Sequence, residues 1–212
     1  MSTALASLLC SRLCHDLVSP VGALGNGLEL LDDDDLSGQG DIVSLIKESA
    51  AKTSNLLQFY RFAFGAAAGM GAFIDPRDAE TVASALFAES AISLTWTAEA
   101  VLISKDAVKL ALNMLLVASE TIIRSGELKI DLRSNADRLE VLVEAFGERL
   151  IFKPETETVL RAGMPSQGLS PKLAPAALAF EIAKTLETEI MIHTAVPGRI
   201  ALAIAIPGGV QR

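Results

Sequence analysis

Two long stretches carry an apolar heptad pattern, and no other feature limits the fold as tightly. Cys10, Cys14, Leu17, Val21, Leu24, Leu28 and Leu31 are spaced alternately four and three residues apart. Ile42, Ile46, Ser49, Thr53, Leu56, Tyr60 and Ala63 repeat that spacing. Such a repeat keeps one stripe of a helix facing a neighbouring helix. It predicts helices over residues 3–31 and 41–64, joined by an acidic turn at 32–40 into an antiparallel hairpin. A lone hairpin cannot cover both this seam and its flanking leucines, Leu5, Leu9, Leu13, Leu45 and Leu57. Two hairpins can, which predicts a homodimer with a four-helix bundle at its centre.

The stretch 65–76, GAAAGMGAFIDP, is punctuated by Gly65, Gly69, Gly71 and Pro76. It divides a helical domain at residues 1–72 from a second domain at 73–212. Helices are expected there at 78–87, 106–123 (with Ser104 as N-cap), 155–161 and 175–186. Strands are expected at 93–97, 127–134, 138–146, 189–194 and 200–206, with a hairpin turn at 135–137. That order gives an α/β sandwich with helices on one sheet face, and an α+β chain as a whole.

Composition narrows the function classes. Half of the residues are apolar but only 5% are aromatic, which favours helices packed through small residues. The net charge is -8, and no basic patch carries interleaved aromatics, so no nucleic-acid partner is expected. No apolar run reaches the ~18 residues that span a bilayer. The N-terminus has no basic segment before its first apolar run. A cytoplasmic protein without a membrane partner is expected. Cys10 and Cys14 with one histidine fall short of a structural zinc set and read as small apolar core residues. Asp32, Asp33, Asp34 and Asp35 lack the alternating spacing of a calcium loop and read as a solvated turn. No metal or cofactor is expected in this chain.

The chemistry concentrates in residues 13–31, LCHDLVSPVGALGNGLELL. At about 100° per helical residue, with Cys10 at zero, the seam residues lie within about 60° of zero. His15 falls at about 140°, Gly22 at about 120°, Asn26 at about 160°, Ser19 at about 180° and Arg12 at about 200°. His15 therefore faces away from the seam among small or polar residues, which leaves room for another protein. Asp16 adds a carboxylate able to orient the ring or take a proton. Pro20 has no N–H and costs roughly 3 kcal/mol inside a helix, so something must justify it. A docking surface shaped beside a reactive histidine is one such reason. Arg12 is a candidate for steadying phosphate charge. Ser19, Gly22 and Asn26 are candidates for lining the partner face. His193, in a late strand without an acidic neighbour, reads as structural.

HDLVSP at the head of a heptad hairpin resembles the H-box of two-component histidine kinases. The resemblance implies a dimeric bundle whose histidine carries a phosphoryl group, and a second domain of Bergerat type. The nucleotide motifs of that domain fail here. In KLALNMLLVASET, Asn113 matches the first asparagine of the N-box helix, but Val117 stands at the magnesium-binding position and offers no oxygen. EAFGERL keeps only Gly147 of the adenine-reading element, and Gly163 and Gly168 are too sparse for a phosphate loop. A kinase-like scaffold that has lost ATP binding is similar to the ChpT-type histidine phosphotransferases of alphaproteobacterial phosphorelays. That resemblance covers nearly the whole chain. It implies a homodimer that shuttles phosphate through His15. The donor would be the receiver domain of a CckA-like hybrid kinase, and the acceptors CtrA-like and CpdR-like response regulators of the cell cycle. Magnesium would be supplied by the receiver. The rival readings are a divergent active histidine kinase and a receiver-binding scaffold that transfers nothing.

Overall fold

The computed structural model describes residues 2–31, 39–65, 72–99, 102–135, 138–164 and 170–211. Residues 32–38 of the expected acidic turn, 66–71 of the 65–76 break, 136–137 of the hairpin turn and Gly168 lie outside the described residues.

Two helices open the chain, α1 (Thr3–Leu31) and α2 (Gln39–Ala63). Ser2 caps α1 by accepting from the Leu5 N–H, and the helix continues through Pro20, which is buried. α1 and α2 pack closely enough that a Cβ on Gly27 would lie 2.7 Å from Ile46. The α2 stripe behaves as its spacing predicts: Ser49, Tyr60 and Ala63 are buried, and Ile42, Ile46, Thr53 and Leu56 are half-buried. The α1 stripe does not. Leu5, Leu9, Arg12, Pro20 and Gly27 are its inward residues, while Cys10, Cys14, Val21 and Leu28 are exposed in the single chain. The expectation that both cysteines are core residues is therefore corrected. The inward face sits about a quarter to a third of a turn from the heptad stripe.

The remainder keeps the predicted order closely. β1 (Phe73–Ile74) leads to α3 (Pro76–Phe87), whose first turn is capped by the Asp75 carboxylate. β2 (Ile92–Ala98), β3 (Leu102–Ser104) and α4 (Lys105–Ser119) come next. Ser104 caps α4 through the Ala107 N–H, as expected. β4 (Gly126–Asn135), β5 (Arg138–Phe146), α5 (Pro154–Ala162), a 3-10 turn at Pro171–Leu173 and α6 (Ala174–Thr185) continue the chain. It closes with β6 (Met191–His193), β7 (Arg199–Pro207) and β8 (Val210–Gln211). The short strands β1, β3 and β8, which pair with one another, carry too few residues to show a period.

The five-stranded sheet has the order β2-β4-β5-β7-β6, parallel at β2/β4 and antiparallel elsewhere. Register puts Leu132 opposite Val141 and Ile130 opposite Val143. Val141 and Val143 in turn face Ile204 and Leu202. All six are buried, so one sheet face is a continuous apolar layer under the helices. The other face carries Lys129, Asp131, Arg133, Glu140 and Glu144.

α4 ends four residues before its expected limit. The β-branched run Thr121, Ile122, Ile123 leaves the helix to pair with residues 149–151. That early stop leaves Glu120 at the helix end, beside α1. The open end of the hairpin is joined to the α/β sandwich. α1 packs against α6 and the 3-10 turn, and α2 packs against α3 and α4. Leu5, Leu8, Leu9, Phe59 and Ala63 belong to one buried cluster with Ala79, Leu110, Met114 and Leu178. Asn113 is wholly buried and donates 2.8 Å to the Ala63 carbonyl, tying α4 to the last turn of α2.

Candidate functional site

His15 stands where the angular count puts it, on the open side of α1, with its side chain 59% exposed. Ser19, Gly22 and Asn26 continue that face and are exposed. A Cβ on Gly22 would meet nothing within 4 Å, so the surface beside the histidine is clear. Arg12 differs from expectation. It is buried, not open to a partner, because it reaches from α1 to the end of α4. Its Nε donates 2.6 Å to Asp16 Oδ2, and its Nη1 donates to Glu120 Oε1. His193 is exposed on the edge strand β6, opposite Ala201.

Asp16 is the hub. Its Oδ1 lies 2.9 Å from His15 Nδ1, and its Oδ2 accepts from both Arg12 and the Tyr60 hydroxyl. Burial works against the Asp16 charge. The hydrogen bonds from Tyr60, His15 and Arg12, with the Arg12 charge, outweigh it and hold the carboxyl below its usual range. Burial and the bond to Asp16 push the Tyr60 hydroxyl upward, so it remains a donor at neutral pH. Burial raises the Glu120 carboxyl, against the opposing pull of Arg12. Burial also disfavours charge on Arg12, but Glu120, Tyr60 and Asp16 together override it and raise its pKa.

An ionised carboxylate only accepts hydrogen bonds. The His15 nitrogen facing Asp16 must then carry the proton, so the network selects the Nδ1–H tautomer. In the neutral ring of that tautomer Nε2 is the nitrogen with the lone pair. His15 lines a groove of about 390 Å³ between α1 and the rest of the chain. Val117, Phe152, Lys153, Thr156 and Lys172 contribute to its lining. An exposed imidazole with one free nitrogen, backed by a carboxylate, is equipped for nucleophilic attack and for bearing the positive charge that attack creates. Among the described residues no group of three or more His, Cys, Asp or Glu side chains converges as a metal set, and no helix is long and apolar enough to cross a membrane.

Tyr60 and Glu120 are the site residues that sequence reasoning passed over. Tyr60 carried a signal: the chain's single tyrosine falls within an apolar seam, where a hydroxyl needs a partner. Glu120 carried none, because its position depends on where α4 stops.

A family model for the histidine phosphotransferase C-terminal domain matches residues 76–196. The protein phosphotransferase ChpT of Brucella abortus (strain 2308) is 37% identical over 189 residues, covering 89% of this chain and 90% of the relative. A solved bacterial phosphotransferase superposes with a TM-score of 0.84 at 35% identity, covering 96% of this chain and 97% of the other. With these relatives over nearly its whole length, the chain belongs to the histidine phosphotransferase family, of the ChpT type.

Proposed function

We propose that the chain relays phosphoryl groups between receiver-domain aspartates through Nε2 of His15. The observation that carries this reading is the pairing of Nδ1 with ionised Asp16, which leaves Nε2 as the free nitrogen of a ring that lines an open groove. In the forward step the Nε2 lone pair attacks phosphorus of an aspartyl phosphate. The bond from phosphorus to the aspartyl oxygen breaks, and its electron pair stays on the departing carboxylate. Phosphohistidine that keeps its Nδ1 proton is an imidazolium, and Asp16 sits against that positive charge. Transfer to a second receiver is the reverse step, with His15 as leaving group. No proton has to move in either direction. The partners in this reading are the receiver of a CckA-like hybrid kinase and CtrA-like and CpdR-like regulators of the cell cycle, each supplying its own magnesium. Ser19, Gly22 and Asn26 would lie under the docked receiver. The reading needs no ATP: Val117 lines the groove with hydrocarbon, and Asn113 is engaged with Ala63.

The test offers a phosphorylated receiver to the purified chain without ATP. The expected result is acid-labile phosphate on His15, which then moves to a second receiver. Autophosphorylation from ATP would favour a kinase, and binding without transfer would favour a scaffold.

The reading also includes a cytoplasmic homodimer. The homodimer is supported by the apolar stripe that a single chain leaves uncovered, with Val21 50% and Leu28 56% exposed. Leu28→Asp places a charge in that stripe and lies far from Glu120. Light scattering on the eluting protein should give the mass of two chains for the parent and of one chain for Leu28→Asp.

A further inference from the structure

His15 is held by a chain of contacts that starts outside α1. Glu120, at the end of α4, binds Arg12; Arg12 binds Asp16; Asp16 binds His15. Tyr60, on α2, reaches the same Asp16 oxygen as Arg12. A carboxylate beside an exposed imidazole is normally free to turn. Here one oxygen is occupied by two donors from the protein interior, so the other oxygen is left to the ring. Arg12 suits this task because its planar fork can hold two carboxylates at once. Among the described residues, Lys153, Glu155 and Lys172 are the other charged groups lining the groove, and none of them bonds to Asp16.

We propose that Tyr60 and Glu120 are positioning residues for His15: Tyr60 pins Asp16 directly and Glu120 pins it through Arg12, so the bridge from the end of α4 to α1 helps set the tautomer of the phosphate-accepting ring. This rests on the phosphotransfer reading above for its consequence but not for its geometry. It gives the segment after the hairpin a part in the chemistry without touching substrate. The segment's contact with α1 keeps Nε2 the unprotonated nitrogen in the resting protein.

The experiment uses the full-length chain with ¹⁵N-labelled histidine. Long-range ¹H–¹⁵N correlations report which ring nitrogen of His15 carries the proton. Transfer from a phosphorylated receiver is measured alongside, across pH, with thermal unfolding as a check on the fold. The parent should show mainly the Nδ1–H form. Tyr60→Phe and Glu120→Ala should each shift population toward Nε2–H. Each should lower kcat by about three- to tenfold, the size of a single hydrogen bond, with KM for the receiver little changed. Glu120→Gln keeps an acceptor for Arg12 and should recover most of both signals. A parent-like tautomer in both Tyr60→Phe and Glu120→Ala overturns the proposal. So does a rate that falls only in step with the loss of folded protein. If the tautomer responds as expected but neither parent nor variants take phosphate, the positioning network stands and the phosphotransfer reading falls.

Discussion

Replacing His15 by alanine is expected to abolish phosphate acceptance while leaving the fold intact. The side chain is mostly in solvent, and its described protein partner is Asp16, which keeps Arg12 and Tyr60. Stability should therefore change by no more than about 0.5–1 kcal/mol. The groove's other described hydroxyl and amine groups, on Thr121, Thr156, Lys153 and Lys172, are not imidazoles. Thr121 is buried and donates its hydroxyl to the Ala118 carbonyl. Phosphate transfer should fall by about 10³-fold or more, as when a nucleophile is removed from a transfer enzyme. The measurement is radiolabel on the variant after exposure to a phosphorylated receiver, with melting and elution behaviour compared to the parent. Retained label on His15→Ala would move the carrier role elsewhere.

The largest stability loss should come from Phe59→Ala. Phe59 is fully buried near the end of α2, edge-on to Tyr60 at a centroid distance of 6.0 Å. Truncating a buried phenylalanine costs about 3–5 kcal/mol, from lost burial plus the cavity left behind. For a chain of this length that corresponds to a melting temperature lower by roughly 6–20 °C. Because the same buried cluster runs from α1 and α2 into α3, α4 and α6, the loss should be felt on both sides of residue 72. Hydrogen exchange should quicken together in α1 and α4. Faster exchange confined to α2 would show that the hairpin and the rest are held by separate cores.

Much of the fold was legible because its signals are local. Alternation marked the long strands, and cap residues such as Ser104 marked a helix start. The placement of His15 was legible for the same reason, since angle on a helix depends on sequence distance alone. The heptad count misled on α1 for an identifiable reason. It finds the most apolar stripe, whereas the face packed inside the chain includes Arg12, Asp16, Pro20 and Gly27, whose polarity or small size hides them from such a count. Arg12 accordingly read as an outward residue when it is a bridge. Tyr60 and Glu120 come from 44 and 108 residues away from the groups they bind. No spacing rule joins them to α1, because that contact is fixed by how α4 ends and how the hairpin docks.

In the proposed relay, a single carrier nitrogen also constrains kinetics. Two receivers cannot reach Nε2 of the same His15 together, so donor and acceptor must take turns. Double-reciprocal plots at several acceptor concentrations should give parallel lines, and excess unphosphorylated donor should inhibit by occupying the face the acceptor needs. Flux through such a carrier would then be set by the ratio of its partners in the cell as much as by the affinity of either one.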